Sequence, residues 1–291
     1  MNKLPAIEGG TPSRKEFLNF YKASIGEEEI NEVIDTLKSG WITTGPKCLQ
    51  FEEEIKKYTG SKEAVAVNSC TAGGHILLKA LGIKKGDEVI TTPITFASMV
   101  NNVLHLNAKP VFSDIDENTI NIDPDLINEK ITKNTKVIMA THYAGLPCDM
   151  DKINSVAKDN NLIVIEDAAH SIGSTYKGKH TGTLADAGVY SFYAIKNITT
   201  GEGGMITTDN KELANKSRIL RLHGISKDAW KRYAKEGSWY YEVTECGYKY
   251  NMSDIQAALG LAQIKKLEMF KEKRQKLVDY YIKSLSKIDE I

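Results

Sequence analysis

The sequence predicts an α/β fold in which helices cover both faces of a mostly parallel sheet. Between Glu63 and about Thr208, short apolar runs rich in β-branched residues alternate with amphipathic stretches. This alternation is typical of parallel sheets, whose strands are buried on both faces. The predicted strands are Ala64–Val67, Glu88–Ile90, Pro110–Phe112, Val137–Ala140 and Leu162–Ile165. The predicted helices between them are Ala72–Leu81, Pro124–Ile131 and Met150–Asn160.

Beyond Thr208 the strand pattern stops. Lys211–Leu222 has a helical pattern, and Trp230–Tyr250 is aromatic and irregular. From Ser253 to about Ser286 the sequence predicts one long helix with possible breaks, and Ser253 is suited to cap its first turn. A helix of this length needs a surface to pack on. That surface is either the large sheet domain or a following small domain that is absent from this sequence.

The composition excludes several classes of protein. The chain has 38 basic and 38 acidic residues, so it lacks the basic surplus that favours nucleic acid or an anionic membrane as a partner. No apolar run approaches the roughly 18–20 residues of a membrane span, and the N-terminus lacks a signal-peptide core. We therefore expect a cytoplasmic protein. The cysteines form no C-x-x-C pair and predict neither a metal site nor a disulfide: Cys48, Cys70, Cys148 and Cys246.

A lysine follows another apolar run, at the kind of strand end where parallel sheets bind ligands. Lys196 comes shortly after Val189–Ala194 and precedes the glycine-rich turn Thr200–Gly204. In a low-dielectric site a lysine loses part of its preference for the charged form, and its free amine can form a Schiff base with an aldehyde. For one lysine taken alone, a surface position before a hairpin turn is the plainer interpretation. The surrounding pattern favours the reactive amine.

An acidic pair ends a predicted strand. Glu166 and Asp167 follow Leu162–Ile165, so a carboxylate is expected at the carboxyl end of that strand. A pyridoxal ring needs an anion opposite its nitrogen, because the protonated ring is the better electron sink. We expect Asp167 in this role since Ala168 and Ala169 let a planar cofactor come close. Glu166 in the same role, and a simple turn or helix cap by the aspartate, are the alternatives.

The segment Asn68–His75 lies between a predicted strand and a predicted helix. Its small residues would present backbone N–H groups at a helix N-terminus, which suits a phosphate, and Thr71 adds a hydroxyl. The segment is neither a Walker loop nor the dinucleotide fingerprint, so an ordinary capped helix start is the alternative.

Phe96 could stack on a flat ring or belong to the core, and His142 could be catalytic or simply hydrogen-bonded.

Two charge clusters, Glu52–Lys57 and Lys271–Lys276, are interpreted as solvated helix faces.

Together these segments resemble the sugar aminotransferases of the DegT/DnrJ/EryC1/StrS family along essentially the whole chain. The resemblance implies a fold-type I pyridoxal-phosphate transferase with pyridoxal 5'-phosphate as cofactor. Residues 1–250 would form the large cofactor-binding domain with an N-terminal arm. Residues 251–291 would form a long helix leading towards a small C-terminal domain that is mostly absent, since family members usually continue beyond Ile291. The matching segments are Ser39–Lys47, Asn68–Ala72, Gly86–Ala97, Asp149–Asp151, Glu166–Gly173, Ser191–Gly204 and Gly247–Ala258.

The resemblance also implies roles for single residues. Lys196 matches the catalytic Schiff-base lysine, and Asp167 matches the carboxylate on the pyridine nitrogen. Cys70 and Gly74 depart from the residues commoner in the family's phosphate loop. Asn251 would reach the phosphate of the neighbouring subunit, which implies a homodimer with shared active sites. The remaining implied cofactor contacts are Thr71, Ala72 and Ser191 at the phosphate, Phe96 over the ring and His170 near the ring hydroxyl.

Four segments indicate the substrate class. They resemble the subgroup that converts a UDP-4-keto-pentose to UDP-4-amino-4-deoxy-L-arabinose, and in part the relatives that aminate UDP-4-keto-6-deoxy-N-acetylhexosamines. The resemblance implies amination of a UDP-linked 4-keto-sugar, with glutamate as amino donor, for a cell-surface polysaccharide. The segments are His142–Gly145, Ala194–Thr199, Leu222–Trp230 and Gly247–Asn251.

Two other functions are compatible with the fold. One is a pyridoxamine-dependent sugar dehydratase, and the relatives with that activity have histidine at the position of the lysine. The other is a non-catalytic sugar-sensing protein that retains the fold. Lys196 disfavours the first, and the combination of Lys196 with Asp167 disfavours the second.

Overall fold

A seven-stranded sheet forms the centre of the computed structural model, which describes residues 4–226, 241–286 and 288. Its strand order is β1-β9-β8-β5-β4-β2-β3. The strands are β1 (Glu63–Val67), β2 (Glu88–Thr91), β3 (Lys109–Phe112), β4 (Thr135–Thr141), β5 (Ile163–Asp167), β8 (Ala187–Ser191) and β9 (Gly204–Thr208), with β6 (Thr175–Tyr176) and β7 (Lys179–His180) in a separate two-stranded sheet. All five predicted strands are present.

One strand of the large sheet runs against the other six. β9 pairs antiparallel with both β1 and β8, whereas β8, β5, β4, β2 and β3 pair in parallel. The predicted mostly parallel sheet is therefore confirmed. The connection from β8 to β9, residues 192–203, contains no helix and returns the chain directly beside β8, so the two strands pair antiparallel.

Helices flank the sheet on both faces. The described α-helices are α1 (Glu27–Ser39), α2 (Pro46–Thr59), α3 (Cys70–Ala80), α4 (Ala97–His105), α5 (Met150–Asp159), α6 (Lys211–Leu220), α7 (Asp254–Ile264) and α8 (Leu267–Leu285). Among the described residues, no helix is both long and apolar enough to cross a membrane.

The alternation of side chains along β1 shows how both faces of the sheet are covered. Val65 and Val67 belong to an apolar cluster that includes residues of α3 and α6. Ala64 and Ala66 belong to a second cluster, with residues of α2 and α7. Because successive side chains of a strand point to opposite faces, this division places one layer of helices on each side.

One predicted helix differs in detail from the structure, and another contains one of the breaks that the sequence allowed. Asp123 caps the segment after it, but Pro124–Ile131 forms two short 3-10 turns because its hydrogen bonds span three residues instead of four. The long C-terminal helix is interrupted at Lys265 and Lys266. Ser253 caps α7 in a capping box with Gln256, as predicted. Much of the predicted irregular segment Trp230–Tyr250 lies outside the described residues.

The interpretation of Glu52–Lys57 as a solvated face is wrong for Glu52. Its carboxylate is buried, lies 2.6 Å from the Arg221 guanidinium and accepts the backbone N–H of Ala66 at 2.8 Å. The same guanidinium donates to the carbonyl oxygen of Ala66 at 2.8 Å. This pair therefore ties α2 to β1 and to the end of α6, which holds the strand that leads into the Asn68–His75 loop.

Candidate active site

A cavity of about 660 Å³ opens at the carboxyl ends of the parallel strands. Lys196 and Asp167 both line it, as do four other residues predicted to contact a cofactor: Thr71, Phe96, His170 and Ser191. These residues come from the ends of β1, β2, β5 and β8, which are far apart in the sequence and belong to one sheet. Ala72 and Asn251 do not line the cavity.

The last two residues of β5 point to opposite faces of the sheet. Glu166 is buried and accepts backbone N–H groups from Gly182 at 2.6 Å, Leu184 at 2.7 Å and Ala185 at 3.0 Å. Asp167 is buried at the cavity, where it accepts the N–H of Ala169 at 3.1 Å. The oxygens of Glu166 already accept hydrogen bonds on the opposite face of the sheet. The geometry therefore favours Asp167 as the anion that faces a ligand.

The electrostatics of Asp167 reflect two opposing effects. Burial raises the pKa of its carboxyl group. The Ala169 N–H and the nearby His142, His170 and Lys196 lower the pKa again, because each favours the ionised form. A cationic ring nitrogen placed against this carboxylate would act in the same direction.

Lys196 lies in a tight turn after β8. Its backbone N–H donates to the carbonyl oxygen of Tyr193 at 2.9 Å, which turns the chain at the cavity. Burial lowers the pKa of the Lys196 amine, and the nearby Cys70 and Asp167 partly oppose this effect. A larger share of the amine is therefore neutral than for a lysine in water, and the neutral amine is the nucleophile.

The N-terminus of α3 forms a polar recess in the cavity. The Ser69 hydroxyl accepts the N–H of Ala72 at 3.0 Å, and the first turn contains no acidic residue. Thr71 from this turn and Ser191 from the end of β8 line the same cavity. Helix N-termini favour anions because of their free N–H groups and dipole, so this recess suits a phosphate.

A glycine allows this recess to form. A Cβ atom on Gly204 would lie 2.5 Å from the backbone carbon of Ser69 and 2.6 Å from the backbone nitrogen of Cys70. No side chain fits at such distances, so only glycine lets the start of β9 come this close to the loop. The glycine-rich turn therefore supports the loop.

Phe96 and His170 lie at two other sides of the cavity. The Phe96 side chain is 75% exposed at the start of α4, where it is available to cover a planar ligand. Burial, and secondarily Lys196, lowers the pKa of His170, so its neutral form is favoured. Tyr143, from the segment His142–Gly145, and Tyr193, to which sequence reasoning assigned no role of its own, are partly exposed and also line the cavity after the ends of β4 and β8.

Hydrogen bonds within the fold hold the His142 side chain. Its Nδ1 accepts the backbone N–H of Cys148 at 3.1 Å, and its Nε2 faces a Glu166 oxygen at 2.9 Å. Both ring nitrogens therefore have partners within the fold. Of the two interpretations that the sequence left open, the structure favours the structural one.

Asn251 lies beside β1. It forms an isolated bridge with Val67, and its side-chain nitrogen donates to the Thr44 hydroxyl at 2.6 Å. Its side-chain oxygen is buried and has no hydrogen-bond partner among the described residues. The predicted contact with a neighbouring subunit stays a prediction.

An amine and a buried carboxylate share one cavity with the N-terminus of a helix, an arrangement that fits an enzyme of the aminotransferase class. The chain belongs to the DegT/DnrJ/EryC1/StrS aminotransferase family, whose model matches residues 23–291. This match confirms the family, the fold class and the enzyme class that were predicted from the sequence.

Relatives agree with this assignment. The chain is 60% identical to an uncharacterised protein of Methanocaldococcus jannaschii, MJ1066, and 53% identical to the spore coat polysaccharide biosynthesis protein SpsC of Bacillus subtilis. Each match covers 92% of this chain and 69% of the relative. The putative sugar aminotransferase Spr1654 of Streptococcus pneumoniae, in its PMP form, superposes with a TM-score of 0.88 at 37% identity, over 92% of this chain and 72% of that one.

The predicted cofactor also agrees with these comparisons. The pneumococcal protein has been solved in a PLP form as well as the PMP form, with TM-scores of 0.86 and 0.88.

Proposed function

We propose that this chain transfers an amino group from glutamate to a nucleotide-linked 4-keto-sugar, with pyridoxal phosphate as cofactor. The observation that most supports this function is the convergence of the Lys196 amine and the Asp167 carboxylate on one cavity, beside the N-terminus of α3. The residues present suit the cofactor: an amine for its aldehyde, an anion for its ring nitrogen and free N–H groups for its phosphate.

Bound pyridoxal phosphate supplies an aldehyde and a ring that withdraws electrons from the reacting carbon. Lys196 would hold it covalently, and its amine is placed to move a proton between carbons of the substrate and the cofactor. Asp167 would keep the ring nitrogen protonated. Thr71 and Ser191 would hold the phosphate, and Phe96 would cover the ring face and limit the access of water.

The substrate proposal rests on likeness and on the cavity. The segments His142–Gly145 and Ala194–Thr199 resemble enzymes that aminate UDP-4-keto-sugars, and parts of both line the cavity. The name of SpsC refers to spore coat polysaccharide biosynthesis, which supports a role in forming an amino sugar for a cell-surface polysaccharide. Tyr143 and Tyr193 add aromatic surfaces against which a sugar ring could pack.

A panel of keto-sugars tests the proposal. Purified protein with pyridoxal phosphate and glutamate is incubated with UDP-4-keto-pentose, with UDP-4-keto-6-deoxy-N-acetylhexosamine and with matched free keto-sugars, and products are identified by mass spectrometry. We expect a 4-amino product and 2-oxoglutarate from a UDP-linked substrate only. A deoxygenated product would favour the dehydratase, and the absence of any product together with tight sugar binding would favour a sensor.

We also propose a homodimer in which Asn251 approaches the cofactor phosphate of the partner subunit. The side-chain oxygen of Asn251 is buried without a partner among the described residues, and the segment before α1 exposes large apolar side chains. Phe17 and Phe20 are 90% and 93% exposed, and Ile7 is 94% exposed. Apolar surface of this kind is typical of an interface between chains.

Coexpression of two inactive variants tests the shared site. In a mixed dimer of Lys196→Ala and Asn251→Ala subunits, one site would have both lesions and the other would be intact. We expect part of the activity to return in tagged and purified mixed dimers, whereas each variant alone stays inactive or loses its cofactor. If Asn251 served its own subunit, both sites would be damaged and no activity would return. A fully active monomer in sedimentation would equally contradict the proposal.

A further inference from the structure

The surroundings of the Asp167 carboxylate contain a hydroxyl pair that the reaction outlined above does not use. Thr141, the last residue of β4, lies opposite Asp167 in the register of β4 and β5. Its hydroxyl donates to Oδ2 of Asp167 at 3.5 Å, while Oδ1 accepts the Ala169 N–H at 3.1 Å. The two carboxylate oxygens are therefore contacted by different donors.

A second hydroxyl lies within hydrogen-bond distance of the Thr141 hydroxyl. The Thr95 hydroxyl, from the loop after β2, lies 2.9 Å from the Thr141 hydroxyl. A hydroxyl has one proton to donate, so when Thr141 donates to Asp167, Thr95 must be the donor in its hydrogen bond with Thr141. The two contacts are satisfied together by one direction of donation, from Thr95 to Thr141 to Asp167. Both threonines also line the cavity.

We propose that Thr141, supported by Thr95, is a positioning residue that holds the Asp167 carboxylate in one orientation towards the ring nitrogen of the cofactor. The inference rests on the proposed function, because it concerns the same cofactor. Hydrogen bonds to an ionised acceptor are stronger than those between neutral groups, and chains of such bonds reinforce one another. Without the hydroxyl, the carboxylate rotates more freely and its buried charge has fewer donors.

The test compares two ligands of the apo-protein. One is pyridoxal phosphate, and the other is its 1-deaza analogue, which has a carbon atom in place of the ring nitrogen and offers Asp167 nothing to bind. The dissociation constants of both are measured by equilibrium dialysis. We expect Thr141→Val to weaken binding of pyridoxal phosphate by about tenfold, near the lower end of the range for one hydrogen bond to a charged group, and to change binding of the analogue less than twofold.

Further variants separate positioning from a general structural effect. Thr141→Ser keeps the hydroxyl and should restore binding of pyridoxal phosphate. Thr95→Val should act in the same direction as Thr141→Val, and the double variant should be no weaker than Thr141→Val alone, because Thr95 acts through Thr141. In an Asp167→Asn background, Thr141→Val should have little further effect.

The outcomes distinguish this inference from the proposed function. Equal weakening of both ligands, or no change in either, would overturn the positioning role of Thr141 while leaving the function intact. If the unaltered protein bound neither ligand, and borohydride trapped no cofactor on Lys196, the proposed function would fail and this inference with it.

Discussion

Replacing Lys196 with alanine should abolish covalent attachment of pyridoxal phosphate and lower turnover by several orders of magnitude. The amine is both the anchor of the cofactor and the group that moves the proton, so the alanine variant loses two functions at once. The measurement has two parts. Turnover is followed by release of 2-oxoglutarate, and attachment is followed by borohydride reduction and peptide mass spectrometry, which should find the reduced adduct on Lys196 in the unaltered protein.

The matched control is Lys158→Ala, which removes an exposed lysine on α5 away from the cavity. It should keep normal turnover and a normal adduct on Lys196. An adduct found on another lysine, or near-normal turnover of Lys196→Ala, would show that the anchoring amine lies elsewhere.

The second large effect is expected at Asp167. Asp167→Asn preserves the shape of the side chain and removes the anion, so a proton on the ring nitrogen loses its partner. We expect turnover to fall about 10²–10³-fold, the range typical for removal of one electrostatic group from an active site, with cofactor still bound. The rate of each half-reaction is measured separately by rapid mixing with glutamate and with keto-sugar, and both should fall.

Glu166→Gln is the informative comparison for this variant. Glu166 accepts three backbone N–H groups and faces His142 on the far side of β5, so its loss of charge should lower thermal stability more than the rate of the chemical step. If instead Asp167→Asn retained its full rate and Glu166→Gln lost it, the anion opposite the ring would be Glu166.

Local patterns in the sequence were sufficient to predict much of the fold and part of the site. Short apolar runs identified β1 to β5. In β1, β2, β4 and β5 these runs arise because the strands are buried on both faces, whereas the edge strand β3 is partly exposed. Lys196 and Asp167 could be proposed because each follows an apolar run, and strand ends meet at one edge of a parallel sheet. The cap at Ser253 could be predicted because a helix cap depends only on residues within one turn.

Other features depend on contacts between distant segments, and only the tertiary structure decided them. The insertion of β9 between β1 and β8 depends on pairing partners that no single segment specifies. Glu52 has the local pattern of a solvated residue but is buried against Arg221, which is 169 positions away. The choice of Asp167 over Glu166 follows from which face of β5 meets the cavity. The link from Thr95 through Thr141 joins the loop after β2 to the end of β4, which meet only in the folded protein. Hydrogen bonds and ion pairs depend on distance in space, and a sequence pattern records distance only along the chain.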